Sequence, residues 1–385
     1  MDFSLNEMQE EFKRTARNFF SEQCDLASLH KFEEDENKYS EELYQHLAEL
    51  GFLSIVIPEE YDGIEGDLLD LAIIIEEAGY ATLAAPFFST IAYGIMPLLK
   101  YGTEEQKQHF LPKIASGEIK FTGAFAEPNV NYHYEHVYAE ATESDGRFVV
   151  SGKKLFVPYA NIADYIIVLV RTDETKAGTE AGLTLLIIEN DNQNIELTEL
   201  SGISPEAMYE LTFKDKSVPI ENVLGEVNDG FEVTKNILET ATGLQTVEMA
   251  GVIRRALDIT NSYVKERKQF NIPIATFQAV QHRLADMFTA VEGGYLAAYQ
   301  AVSRLAQGKS ASKEVAVAKT WLSQKGQYVL TSAHQLHGGI GVEMDYPLQF
   351  CFRHFKRLQL QLGNEPYYVK QLAKSIAESK EEQYA

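Results

Sequence analysis

Apolar residues recur at helical spacing from the first turn of the chain. Met8, Phe12, Ala16 and Phe19 follow Ser4, which stands at an N-cap position. Leu43, Leu47 and Leu50 form a second stripe that Gly51 ends. Leu68–Glu77 is a third, and Thr103 caps a fourth that runs through Phe110 to Ala115 before Ser116-Gly117 closes the block. From residue 120 to 224 the texture changes to short β-branched and aromatic runs: Phe148-Val149-Val150, Tyr165–Val170, Leu183–Ile188, Ile195–Leu200 and Leu211–Phe213. Polar turns such as Ser144-Asp145-Gly146 separate them, which predicts a module of short antiparallel strands. From Gly230 the helical period returns in long segments: Phe231 to Arg267, Phe277 to Gln307, Lys313 to Leu336, Tyr346 to Arg357 and Tyr367 to Ser379. Pro273 and Gly338-Gly339 punctuate them. Long amphipathic helices with short connections imply a bundle. The pattern therefore predicts an α+β chain with a helical domain over 1–118, a β domain over 119–225 and a helical bundle over 226–385.

Composition narrows the class. The 385 residues are 45% hydrophobic and 24% charged, an ordinary globular balance. The formal net charge of −23 leaves no basic footprint for nucleic acid, and it gives no general attraction for an anionic ligand. Any site for such a ligand must be shaped locally. Cys24 and Cys351 lie far apart without metal spacing, so neither a disulfide framework nor a metal site is expected. The N-terminus has no basic and apolar leader pattern, and no apolar run is long enough to span a bilayer. A cytoplasmic protein without membrane insertion is the expectation.

Five strings carry more specific information. They are GFLSIVIPEEYDG over Gly51–Gly63, YGTEEQKQHFLPKIASGE over Tyr101–Glu118, LGEVNDGFEV over Leu224–Val233, KERKQFNIPIATFQAVQHRLADM over Lys265–Met287, and QLHGGIGVEMDYP over Gln335–Pro347. Each is similar to a stretch of the acyl-CoA dehydrogenases, in the same order and at matching distances. The resemblance covers essentially the whole chain. It implies an N-terminal helical domain, a central antiparallel β-barrel and a C-terminal four-helix bundle. It also implies one FAD per active site, an acyl-CoA thioester as substrate, an electron-transfer flavoprotein as acceptor, and self-association as a dimer or tetramer.

In this family the flavin is held partly by its own subunit and partly by a neighbour. Arg267 and Phe270 match the family's Arg-x-x-Phe, which pairs with pyrophosphate oxygens and packs near the adenosine. Phe277 and Gln278 match a second contact. Gln335, Gly338 and Gly339 match the family's Gln…Gly-Gly, where missing side chains let backbone amides reach phosphate, and His337 stands beside the phosphates. Alone, Arg267 reads as a surface charge and Gly338-Gly339 as a helix C-cap; in one register they read together as a flavin site. The same-subunit half departs from the pattern. Where the family reads Thr-Glu-Pro-x-x-Gly-Ser-Asp, this chain has Ala126-Glu127-Pro128-Asn129-Val130-Asn131-Tyr132-His133. Where the family reads Trp-Ile-Thr or Trp-Ile-Ser, it has Phe156-Val157-Pro158. Ala126 and Pro158 lack the hydroxyls that face the flavin ring, each loss worth on the order of 1 kcal/mol, whereas Phe156 can still stack.

The family's reaction needs a base beside the substrate α-carbon. Most members place a glutamate in a Tyr-Glu-Gly-Thr stretch, here Gln361-Leu362-Gly363-Asn364; another branch places it on the first bundle helix, at Ala241 with Thr242 following. Neither Leu362 nor Ala241 can abstract a proton. Two nearby carboxylates are candidates to stand in. Glu239 matches an acidic position near the CoA portion, and Glu365 lies three residues beyond Leu362. Glu239 and Thr242 are the substrate-facing candidates on that helix, and Asn364 is a candidate contact to the cofactor. His282 and Asp286 read as structural, and His133 has no assigned role. Three readings follow: a dehydrogenase with a displaced base, a subunit that completes the flavin site of a glutamate-bearing paralogue, or a flavin oxidase on the same scaffold.

Overall fold

The computed structural model describes residues 5–128, 132–175 and 177–384, with 378–384 described as helix backbone only. Ser4, the expected cap, lies outside the described residues. Asn6 caps α1 (Glu7–Gln23) instead, its Oδ1 accepting from Gln9 N at 2.9 Å while Gln9 Oε1 accepts from Asn6 N at 3.2 Å. The helices α2 (Leu26–Glu34), α3 (Glu41–Glu49) and α4 (Leu68–Ala81) follow. The next segment is α5 (Phe87–Thr90), a π turn over Ile91–Ile95, and α6 (Met96–Tyr101). Periodicity passed over this segment because nearly all of it is buried, so it carries no polar stripe. Thr103 caps α7 (Glu104–Ala115), as expected.

Seven strands come next: β1 (Phe121–Ala124), β2 (Glu140–Ser144), β3 (Arg147–Pro158), β4 (Tyr165–Arg171), β5 (Leu183–Glu189), β6 (Ile195–Glu199) and β7 (Met208–Pro219). They form one curled sheet in the order β1-β4-β2-β3-β7-β6, with β5 also on β4. The β2–β3, β3–β7, β4–β5 and β6–β7 pairs are antiparallel. The module is not all antiparallel: β1 lies parallel to β4, reached through a connection long enough to hold the β2–β3 hairpin, and β2 meets β4 in parallel at Glu140 and Arg171. That hairpin turns at Asp145 and Gly146, both with positive φ. The chain continues as α8 (Gly230–Glu266), the hairpin β8 (Lys268–Gln269) and β9 (Ile272–Pro273), then α9 (Gln278–Ala306), α10 (Ser312–His337), α11 (Leu348–Leu360) and α12 (Glu365–Tyr384). The fold class is the expected α+β, a helical domain, a curled central sheet and a C-terminal helical domain.

Contacts gather into two compact units. Residues 1–31, 68–83 and 242–385 form one, and residues 32–67 and 84–241 form the other. In the second unit, Ile166–Val170 of β4 and Leu183–Ile188 of β5 are buried along their length, which explains their unbroken apolar reading. Glu127 is buried there against Lys154 at 2.6 Å and accepts from Tyr138 N and Ala139 N at 2.8 and 3.1 Å.

In the first unit, α4 packs backbone to backbone on α8. A Cβ on Gly251 would stand 2.1 Å from Glu76 O, and one on Gly79 would stand 2.2 Å from Glu248 O. Two carboxylates are buried at this crossing. Glu76 receives Arg254 Nη1 at 2.5 Å and the Tyr299 hydroxyl at 2.8 Å; Glu77 receives Arg254 Nη2 at 2.9 Å and Arg17 Nη2 at 3.0 Å. Removing one side of such an arrangement leaves a buried charge unanswered, at about 3–5 kcal/mol. A Gly251→Ala substitution should force the two helices apart and lower the urea-unfolding free energy by roughly 1–3 kcal/mol. Gly202→Ala, whose Cβ meets nothing within 4 Å, should stay within about 0.5 kcal/mol of the parent.

Candidate functional site

Two clusters expected to hold a flavin are brought together in the first unit. The β8–β9 hairpin carries the first. Arg267 is exposed just before it, and Phe270 sits at its tip, 87% exposed with φ +54°. An exposed phenylalanine in a left-handed conformation is costly for free chain, which marks the tip as a built feature. Phe277 meets Phe270 edge to face at 6.3 Å, and Gln278 opens α9 with its side chain exposed. The second cluster closes α10. Gln335 is exposed, and Gly338 ends the helix with φ +65° and ψ −141°, a conformation open to glycine. The helix C-cap reading of Gly338 is correct. A Cβ on Gly338 or Gly339 would meet nothing within 4 Å, so the backbone here is open to a ligand.

Tyr263 joins the clusters. Its carbonyl accepts from Arg267 N at 2.8 Å, and its ring stacks on His337 at 4.3 Å. The His337 ring is buried, its Nδ1 pairs with Ala333 O at 2.7 Å, and its Nε2 has no partner. Burial holds its pKa below the ordinary value, so the ring is neutral near pH 7.

The other expected flavin contacts lie in the second unit. Ala126 forms a backbone bridge, its carbonyl accepting from Leu155 N at 2.9 Å. Phe156 stands on a bulge of β3, 61% exposed with φ +56°. Pro158 is buried, and its carbonyl accepts from Thr122 Oγ1 at 2.6 Å. Asn129, Val130 and Asn131 lie outside the described residues. His133 pairs with Glu135 at 3.1 Å. His282 and Asp286 are exposed on α9, so the structural roles expected for them are not seen among the described contacts.

The two expected base positions carry no carboxylate in the structure either. Leu362 lies in the turn between α11 and α12 with φ +59°, followed by Gly363 at φ +112°. Ala241 and Thr242 are buried on α8. Tyr368 of α12 connects Leu362 with Thr242: its hydroxyl donates to Leu362 O at 2.7 Å and lies 3.0 Å from Thr242 Oγ1. Of the stand-in carboxylates, Glu365 accepts from Gln324 Nε2 at 2.6 Å, a structural bond to α10, and Glu239 is half-buried on α8. Asn364 caps α12 through Tyr367 N at 3.1 Å.

Beneath the turn lies a buried polar network that the sequence reading missed. Lys319 of α10 is fully buried and donates to Leu358 O at 2.6 Å, Gln361 O at 2.9 Å and Gln245 Oε1. Gln361 Oε1 accepts from Gln245 Nε2 at 3.1 Å and Arg357 Nη1 at 2.8 Å. Glu248 pairs with His354 at 2.7 Å and Arg357 at 3.2 Å. Burial alone would raise the Glu248 pKa, but the His354 hydrogen bond and the Arg357 charge keep it below the ordinary value. Burial, then the Arg357 charge, lowers that of His354. The signal for Lys319 was present: it falls on the apolar stripe of α10 formed by Val315, Leu322 and Gly326.

Comparison with known proteins joins these features. Family models for the N-terminal, middle and C-terminal domains of acyl-CoA dehydrogenase match residues 6–118, 122–216 and 228–377. The chain is 30% identical to the acryloyl-CoA reductase (NADH) of Anaerotignum propionicum, covering 98% of this chain and 96% of that one. The chain belongs to the acyl-CoA dehydrogenase family. Its structure superposes on butyryl-CoA dehydrogenase from Megasphaera elsdenii with a TM-score of 0.91 at 27% identity, covering 98% and 100% of the two chains. It also superposes on the Tcur3481-Tcur3483 steroid ACAD with a TM-score of 0.88 at 29% identity, covering 98% and 99%.

Acyl-CoA dehydrogenases are FAD-binding flavoproteins, and the residues present here fit the cofactor. Gly338 and Gly339 leave a backbone cradle that a side chain would fill, with the exposed guanidinium of Arg267 and the aromatic tip of Phe270 on the neighbouring cluster.

Two tests follow. Gly339→Ala adds a methyl group to open space, so the melting temperature should not move, while the FAD dissociation constant should rise roughly tenfold or more. Flavin fluorescence on titration into apoprotein measures the second. Lys319 tests the buried network. Burial, then the Arg357 charge, pushes its pKa down to about 7, against an opposing pull from Glu248. The unfolded chain therefore holds more protons than the folded one above pH 7. Stability should rise with pH from about 7 towards 10, by at most about 1.4 kcal/mol per pH unit. Lys319→Met should remove that slope in urea-unfolding curves taken at successive pH values.

Proposed function

We propose that this chain is a FAD-dependent oxidoreductase acting on the α,β-bond of an acyl-CoA thioester. The observation that carries the reading is the open Gly338-Gly339 backbone beside Arg267 and Phe270. In this reading Arg267 pairs with the pyrophosphate, the glycine amides receive its oxygens, and Phe270, Phe277, Gln278 and Gln335 border the adenosine portion. That half serves the flavin of a neighbouring subunit; at the flavin held by its own subunit Phe156 stacks at the ring end, where Ala126 brings only main-chain groups. When bound, FAD supplies the hydride acceptor. Glu239 and Thr242 of α8 line the approach of the thioester. An electron-transfer flavoprotein takes the electrons onward, and the functional assembly is a dimer or tetramer.

A second reading rests on a specific observation. Leu362 and Ala241 stand where the family's two branches carry the base, and Glu365 is bound to Gln324. The α-proton acceptor then comes from another chain, and this protein completes the flavin site of a glutamate-bearing paralogue. The same observation leaves room for a flavin oxidase. An absorbance spectrum of the purified chain, followed by anaerobic addition of an acyl-CoA panel, separates the three. The first reading expects yellow protein that bleaches. Yellow or colourless protein that no thioester alters until a paralogue is added supports the second, and peroxide released in air supports the third. Leu362→Glu should then raise the anaerobic bleaching rate at least tenfold in a chain that binds flavin; an unchanged rate would count against residue 362 as the base position.

A further inference from the structure

The turn between α11 and α12 is held in a way that its own residues do not favour. Leu362 is a bulky residue at φ +59°, a conformation that costs on the order of 1–3 kcal/mol and survives only where the surroundings impose it. Gly363 follows at φ +112°. Three helices impose the conformation. From α10, Lys319 donates to the carbonyls of Leu358 and Gln361 at 2.6 and 2.9 Å. From α8, Gln245 donates to the Gln361 side chain at 3.1 Å and accepts from Lys319. From α12, the Tyr368 hydroxyl donates to Leu362 O at 2.7 Å, steadied by Thr242 at 3.0 Å. The Lys319 nitrogen has three acceptors within hydrogen-bond distance, one for each proton of its charged form.

We propose that Lys319 and Tyr368 are positioning residues: together they lock the Gln361–Gly363 turn in its strained conformation and so fix the surface that residue 362 presents to the acyl group. The proposal rests on the reading that this turn borders the acyl thioester. The strain is what gives it content, since a turn needed only as a helix connection would relax to an unstrained residue. Tyr368→Phe deletes one hydroxyl, leaves the ring, and frees the Leu362 carbonyl. Lys319→Met deletes the other clasp and serves as the second variant.

The test uses the FAD-loaded chain with butyryl-CoA as probe. Hydrogen–deuterium exchange is followed over residues 359–366, and butyryl-CoA affinity is read from the perturbed flavin spectrum. In Tyr368→Phe the turn should exchange about tenfold faster, the butyryl-CoA dissociation constant should rise about tenfold, and FAD affinity and melting temperature should stay at the parent values. Lys319→Met should show the same faster exchange and weaker butyryl-CoA binding at unchanged FAD affinity, with a lower melting temperature because three buried acceptors lose their donor. Unchanged exchange in both variants overturns the clasp. Faster exchange with unchanged butyryl-CoA affinity makes the turn merely structural and overturns the positioning role. A parent protein whose flavin responds to no acyl-CoA would sink the functional reading and with it the presentation to an acyl group, while the exchange data still decide whether the clasp exists.

Discussion

From Thr242 to Ile253, helix α8 has no solvent-facing side, and Thr242, Gln245, Thr246 and Glu248 lie within that stretch. A buried polar group must find a partner inside the protein or forfeit its hydration. Each partner therefore fixes another element. Thr242 reaches Tyr368 of α12, Gln245 meets Lys319 of α10 and Gln361, and Glu248 takes His354 and Arg357 of α11. Thr246 turns back on the Gly243 carbonyl at 2.6 Å. On the other side Gly251 lets α4 approach to backbone contact. The helix works as a polar spine whose side chains specify which neighbours pack on it, and where.

This arrangement explains why so much charge is buried in a chain with a net charge of −23. Surface carboxylates stay in water and give solubility. Four of the buried ones are matched to a cation whose own burial would otherwise be unfavourable, Glu76 and Glu77 with Arg254, Glu248 with Arg357 and Glu127 with Lys154, while Asp70 accepts from the Gln9 amide. Such pairs add little net stability over apolar packing. Their effect is on specificity, because a buried ion pair tolerates one geometry where apolar side chains tolerate several.

The helices and strands were legible where a period was present. Segments such as α7, α9 and β4 alternate between a buried and an open side or run apolar within strand length, so their ends fell close to expectation. The segment from Phe87 to Tyr101 was not legible because most of it is buried, and β1 was too short to announce itself or its parallel partner. The clusters around Arg267 and Gly338 could be picked out as motifs because each is contiguous in the sequence. The network under Leu362 could not, because its members come from three helices and only the fold makes them neighbours. Lys319 was the one member with a local signature, a cation on an apolar stripe.

A leucine in the left-handed region persists only where its surroundings hold it against relaxation. Here the supports are complete: Lys319, Gln245, Arg357 and Tyr368 all bind the turn, and Leu362 keeps its left-handed backbone. Contacts from α8, α10, α11 and α12, and not the side chain at 362, therefore set this backbone: the turn would hold the same geometry with any residue that tolerates a left-handed conformation.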